Sequence, residues 1–202
     1  MSEAPGPKCA GRPQRVRLWD PFLRGFHWLL AALVIGNLFL GHFGPSVMTL
    51  HFWFGYGVIG LIVLRLIWGF VGPPEARFMH FLRGPREVSR YARHMFRREP
   101  SYWPGHNPLG ALSVVALLTL LVVQVATGLI SDPDDYINVG PLADQVTVAT
   151  SRKAVGWHHL GSTLILLLVI LHVAIILFYR FWKHEDLIGP MIIGWKTIIR
   201  RN

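Results

Sequence analysis

The chain has little charge for its length. Only 15% of its 202 residues are Asp, Glu, Lys or Arg, while 52% are hydrophobic. An ordinary soluble domain carries about 25% charged residues, so this composition excludes a disordered segment and argues against a soluble globule. Cysteine occurs once, as Cys9 in a basic leader rich in Pro and Gly, which excludes a disulfide framework and a cysteine-rich metal site. Acidic residues are scarce as well, 11 against 20 Lys and Arg, for a formal charge of +9. That excess would suggest nucleic acid, but the basic residues lie between apolar runs, and segment 73–107 has no apolar core of its own to form a reading domain. A nucleic-acid role is therefore excluded. No repeat or low-complexity tract divides the chain, so the expectation is one domain over 1–202.

What is present is long apolar runs. Four are long enough to cross about 30 Å of hydrocarbon, at roughly 26–44, 51–72, 108–130 and 157–181. Each must be a helix, because lone strands could not satisfy their backbone hydrogen bonds in lipid. The expected fold is all-α, an integral membrane four-helix bundle. Positive charge flanks the cytoplasmic ends of such spans. Lys8, Arg12, Arg15, Arg17 and Arg24 precede the first span, and Arg77, Arg83, Arg86, Arg90, Arg93, Arg97 and Arg98 fill the 73–107 connection. Arg180, Lys183, Lys196, Arg200 and Arg201 follow the fourth. The opposite face is mildly acidic, with Asp132, Asp134, Asp135 and Asp144 against Arg152 and Lys153. Both termini read as cytoplasmic, with a basic leader over 1–25 that lacks the short apolar core of a cleaved signal. Residues 184–202 are too short to span and read as an interfacial tail, and the basic connection suits anionic lipid.

Ionisable groups at membrane depth are costly and often functional. His27 stands at the cytoplasmic start of the first span and His51 at the outer start of the second, while the fourth carries His158 and His172. At 100° per residue, the 14-residue step from His158 to His172 returns to within about 40° of one helix face and rises roughly 21 Å. His159 misses that face by about 140°, so His158 is the inward residue. Two level-matched pairs result, His51 with His158 and His27 with His172. Two imidazoles from different helices can hold a haem iron axially in a bundle core. With one cysteine and no C-x-x-C-H, such haem is bound noncovalently. Packing or interfacial histidines are the bland alternative, and a zinc site the competing chemistry, but no carboxylate lies within the spans to complete a zinc tetrahedron.

Arg65 is the lone Lys or Arg well inside a span, 14 residues after His51 on nearly the same face. It is expected to reach the cytoplasmic cofactor and pair with haem propionates; the alternative is an arginine snorkelling to the interface. His42 reads as interfacial, with contact to the outer cofactor edge or a quinone as the alternative, and His80, His94 and His184 as solvated. His106 reads as part of a helix start, with Asn107 as cap and Pro108 in the first turn; a redox-coupled role is the alternative. Gly55, Gly57 and Gly60 leave room for a helix or a flat cofactor.

These motifs resemble the bacterial cytochrome b561 family, itself similar to the membrane cytochrome b subunits of nickel–iron hydrogenases and formate dehydrogenases. The resemblance covers about 17–196. It rests on VRLWDPFLRGFHW around His27, LHFWFGYGVIGLIVLRLIWGFVGPPEARFMHFLRGPREVSRYARH around His51 and Arg65, GHNPLGALSVVALLTLLVVQVATGLI, GPLAD at 140–144, and the His158–His172 spacing with its LIGPMIIGWK tail. His159 and Pro190 depart from the family pattern without touching a ligand. The resemblance implies a bacterial inner-membrane cytochrome with two bis-histidine b haems that exchanges electrons with the quinone pool. It also implies a redox partner, a c-type cytochrome being the nearest pattern. An anchor subunit of a larger oxidoreductase is the second reading, and a nonredox histidine-bearing transporter or receptor the third.

Overall fold

A computed structural model describes residues 13–46, 48–98 and 105–199. Cys9, Lys8, Arg12, Arg200 and Arg201, read above as part of the leader and tail, lie outside the described residues. The order of elements is β1 (Pro13–Arg17), α1 (Pro21–Phe43), α2 (Thr49–Val71), α3 (Phe78–Phe81), α4 (Pro85–His94), α5 (Pro108–Leu129), a 3-10 turn (Ala143–Gln145), α6 (Val148–Phe181), α7 (Ile188–Ile193) and β2 (Trp195–Ile199).

Helices α1, α2, α5 and α6 are the four long enough and apolar enough to cross a membrane. Helix α1 packs along α2, α5 along α6, and α2 against α5 joins the two hairpins. Gly36 and Gly57 permit the first pairing: a Cβ on Gly36 would stand 2.6 Å from the Phe54 ring, and one on Gly57 2.8 Å from Leu33. Val34, Val58, Ile62, Leu121 and Ile165 form the buried centre of the bundle. Large apolar side chains elsewhere point outward, such as Phe39, Ile67 and Leu167. Only 11–22% of each span's most apolar window is buried within the protein, so lipid must cover the rest.

Two helices begin earlier than hydropathy alone suggests. Helix α1 starts at Pro21 rather than near 26, because Asp20 caps it by accepting from Leu23 N at 3.0 Å, with Pro21 in the first turn. Helix α6 starts at Val148 rather than 157: Thr147 accepts from Thr150 N, and no breaker intervenes before Trp157. At 34 residues, α6 is about 51 Å long, well beyond the hydrocarbon thickness, so its first turns project from the membrane. Arg152 there pairs with Asp134 at 2.7 Å. Helix α5 starts at Pro108 as expected, with Asn107 Oδ1 accepting from Gly110 N at 2.8 Å.

The described parts of the leader and tail pair with each other. Strands β1 and β2 pair antiparallel, Pro13 opposite Ile199 and Arg17 opposite Trp195. This small sheet is an addition to the expected all-α bundle, and it folds most of the tail into structure. Leu18 N continues the attachment by donating to Gly194 O at 2.8 Å. Arg24 donates to Ile192 O, and Trp28 Nε1 to Met191 O. On the same face Lys196 and Glu185 form a buried ion pair at 2.5 Å. Helix α4 is clamped over the end of α6 by Tyr91–Tyr179 at 2.5 Å, Trp182 to Phe96 O, and Lys183 to the carbonyls of Met95 and Arg97. This end of the bundle is called the terminal face below, and the opposite end the distal face.

Candidate functional site

At the distal end, His51 in the first turn of α2 and His158 in α6 bring their rings to 6.0 Å between centroids, at 77°. At the terminal end, His27 of α1 and His172 of α6 stand 6.4 Å apart, at 47°. A metal–imidazole nitrogen bond is about 2 Å long and the ring centre lies about 1 Å further, so imidazoles on opposite sides of one metal have centroids about 6 Å apart. Both pairs have that spacing. His159 is exposed, and it too lines the space beside the distal pair. Among the described residues no group of three or more His, Cys, Asp or Glu side chains converges as a metal cluster.

The distal pair borders a cavity of about 420 Å³ whose walls include Gly55, Asn37, Gln124 and Gly128. Its shape depends on missing side chains. Gly55 has nothing within 4 Å of a Cβ position, whereas a Cβ on Gly128 would stand 2.9 Å from His158 Cε1. Gly60 is likewise open, but Gly57 packs on Leu33, so only part of the glycine stripe faces free space. The His158 ring is oriented by α5: Nδ1 lies 3.0 Å from Gln124 O and 3.4 Å from Thr127 Oγ1, while Nε2 lies 3.2 Å from Gln124 Nε2. With Nδ1–H donated to the carbonyl, Nε2 is the acceptor and takes the Gln124 amide N–H, so that amide would have to turn aside for the lone pair to reach a metal. Across the cavity, the Asn37 amide can be turned to donate to His51 O at 3.0 Å and to His51 Nδ1 at 3.2 Å. Asn37 and Gln124 were not singled out from sequence, although each is the one side-chain amide in its span, a signal that cost at membrane depth makes readable.

The roof of this end is the 131–142 loop. Asn138 accepts from Met48 N at 2.9 Å and donates to Ser46 O at 2.8 Å, tying the loop to the α1–α2 connection. Asp135 holds that asparagine from below, accepting from Asn138 N and Nδ2 and from Ile137 N. His42 turns its Nδ1 back to Leu38 O at 2.8 Å and is exposed, and it also lines the distal cavity.

The terminal pair lies beneath a group of polar and aromatic side chains. His27 Nδ1 is sealed from solvent with no partner among the described residues. Arg65 is only 2% exposed, so it does not snorkel to water; its guanidinium lies 4.6 Å over the Phe78 ring, and Nη1 has no partner among the described residues. His106 is not a plain helix-start residue. Its ring lies between Trp19, at 4.6 Å, and Phe81, at 4.7 Å. Burial, then the charges of Arg65, His27 and His172, push its pKa down to about 4. Nothing in the spacing of the sequence marks this aromatic enclosure, because Trp19 lies before α1, Phe81 in α3 and His106 before α5.

A flat cofactor could use what these ends offer: paired imidazoles with centroids about 6 Å apart at each, a void beside the distal pair, and buried side-chain nitrogens without partners at the terminal pair. An iron porphyrin needs those features.

Comparison with known proteins identifies the family. Residues 18–194 match the family described as prokaryotic cytochrome b561. The chain is similar to the probable Ni/Fe-hydrogenase 1 B-type cytochrome subunit of Escherichia coli (strain K12), 28% identical over 215 residues covering 90% of this chain and 88% of that protein. It is also similar to the probable Ni/Fe-hydrogenase B-type cytochrome subunits of Rhizobium leguminosarum bv. viciae, 26% identical over 96% of this chain and 93% of that protein, and of Azotobacter vinelandii, 24% identical over 90% and 88%. No solved structure matches. Since the family match runs from the end of β1 through α7 and takes in all four spans, the chain belongs to the prokaryotic cytochrome b561 family, and it is a bacterial membrane cytochrome that carries electrons on haem b.

Proposed function

We propose that the chain binds two b haems, one between His51 and His158 and one between His27 and His172, and passes electrons across the inner membrane between the quinone pool and a redox partner. The observation that carries this reading is the centroid spacing of 6.0 and 6.4 Å in the two histidine pairs. The haem supplies one-electron exchange at iron. The four histidines would hold the iron, two at each level, and imidazole ligation of that kind would suit electron transfer rather than oxygen activation. Gln124 O and Thr127 keep the His158 ring in one orientation, and the buried Arg65 neutralises haem propionate. The apolar centre around Val58, Ile62 and Ile165 keeps water out of the space between the two levels.

Lys and Arg accumulate on the terminal face and carboxylates in the distal loops, which supports a cytoplasmic position for both termini. For the partner, the names of the relatives, hydrogenase B-type cytochrome subunits, favour an oxidoreductase whose substrate reaction occurs on another chain over a c-type cytochrome. Copurification with such a subunit from native membranes is the expected result.

The central test is haem per chain and a redox titration of the detergent-purified protein. His51→Ala and His158→Ala should each lose the same haem, and His27→Ala and His172→Ala the other. Absence of haem from protein made with ample haem, or two normally ligated haems in both His51→Ala and His158→Ala, refutes the assignment.

A further inference from the structure

Four buried side-chain nitrogens at the terminal end have no partner among the described residues: Arg65 Nη1, Arg24 Nε, His27 Nδ1 and His106 Nδ1. Arg65 is the decisive one, since a guanidinium at 2% exposure without an anion is among the more costly arrangements a fold can hold. The nearby carboxylate, Asp20, is already committed. It caps α1 through Leu23 N at 3.0 Å and lies 3.5 Å from Trp68 Nε1. A further acceptor is therefore needed at this level.

His106 is built for the same acceptor. Trp19 and Phe81 hold its ring from both sides, at 4.6 and 4.7 Å, so its plane is set by packing. Its Nδ1 is sealed although the residue as a whole keeps some exposed surface. Burial first, and after it the charge of Arg65, keep the ring neutral, with one N–H to donate. A buried ring clamped this firmly loses little entropy when it forms a hydrogen bond, so its unused N–H is a prepared contact and not only packing.

We propose that His106 donates its Nδ1–H to the haem carboxylate that Arg65 neutralises, which makes it a cofactor-binding residue of the terminal-face site. This rests on the reading that His27 and His172 hold a haem. Reduction places one more electron on the haem, and a donor that draws charge from the carboxylate favours that reduced form. Losing the donor therefore lowers the midpoint potential of the terminal haem and leaves the distal one alone.

The test is an optical redox titration of the full-length protein as wild type, His106→Phe and His106→Gln, first with haem b and then after exchange for protohaem dimethyl ester, whose esterified groups carry no charge. With haem b, His106→Phe should shift one of the two waves by about tenfold in the reduced-to-oxidised ratio, about 59 mV downward for one electron. His106→Gln, which keeps a donor, should recover most of that shift. With the ester, wild type and His106→Phe should coincide. An unmoved wave, or an equal shift with both haems, overturns the proposal. Loss of the terminal haem from His106→Phe but not from His106→Gln supports the contact, and loss from both overturns it, because packing alone would then explain the residue. Failure of the parent reading is distinguishable: wild type itself would show no second wave.

Discussion

Gly128→Ala should damage the distal haem site selectively. The added Cβ would stand 2.9 Å from His158 Cε1 and 3.2 Å from Nδ1, where ordinary contact is 3.4–4 Å. The ring would have to retreat by up to about 1 Å, yet it is tied to the same helix through Gln124 O at 3.0 Å. Overpacking of this kind costs about 1–3 kcal/mol. If that cost falls on the loaded state, distal haem affinity drops about 5- to 150-fold. The terminal pair, on the far side of the apolar centre, should be untouched. Haem stoichiometry and the reduced-minus-oxidised spectrum of the purified variant read this directly. Partial loss or altered ligation of one haem is expected, with the other wave at its wild-type potential. Gly156→Ala is the matched control, since nothing lies within 4 Å of a Cβ there in the same helix as His158. Two intact haems at wild-type potentials in Gly128→Ala would refute the claim that this glycine seats the ligand.

Two further outcomes follow from the caps and the loop. Asn107→Ala removes the cap of α5 and the 3.1 Å bond from Nδ2 to the buried Tyr179 hydroxyl; it should lower stability by about 1–3 kcal/mol, read as a fall in thermal midpoint, whereas Asn107→Asp should keep the cap and lose less. Asp135 is held below its ordinary pKa by hydrogen bonds from the Asn138 backbone and side chain, and then from Ile137 N. A carboxylate depressed in the folded state contributes stability that is complete above its unfolded value and lost as pH falls through its folded one. Loop 131–142 should therefore stay protected from hydrogen exchange at pH 5 and loosen only below the usual carboxylate range, and loosening already at pH 5 would show that Asp135 does not anchor it.

The sequence by itself determined the four spans and which histidines come together across them. Both depend on local quantities: hydropathy over about 20 residues, 1.5 Å of rise per residue and 100° of turn. The choice of His158 over His159 is of this kind, as is the cap at Asn107. Hydropathy was a poorer guide to the true start of α6, because a helix extends past the lipid wherever a cap and good helix formers allow, and Arg152 and Lys153 hide that extension from an apolarity measure. The pairing of β1 with β2 was not legible either, since it joins segments about 180 residues apart by backbone hydrogen bonds that neither segment's composition announces. The same limit applies to the surroundings of the sites. Gln124 and Thr127 reach His158 across a helix interface, and Trp19 and Phe81 close on His106 from two different parts of the chain. Which side chain orients or encloses an imidazole depends on how helices rotate and pack against one another, and only the tertiary structure decides that.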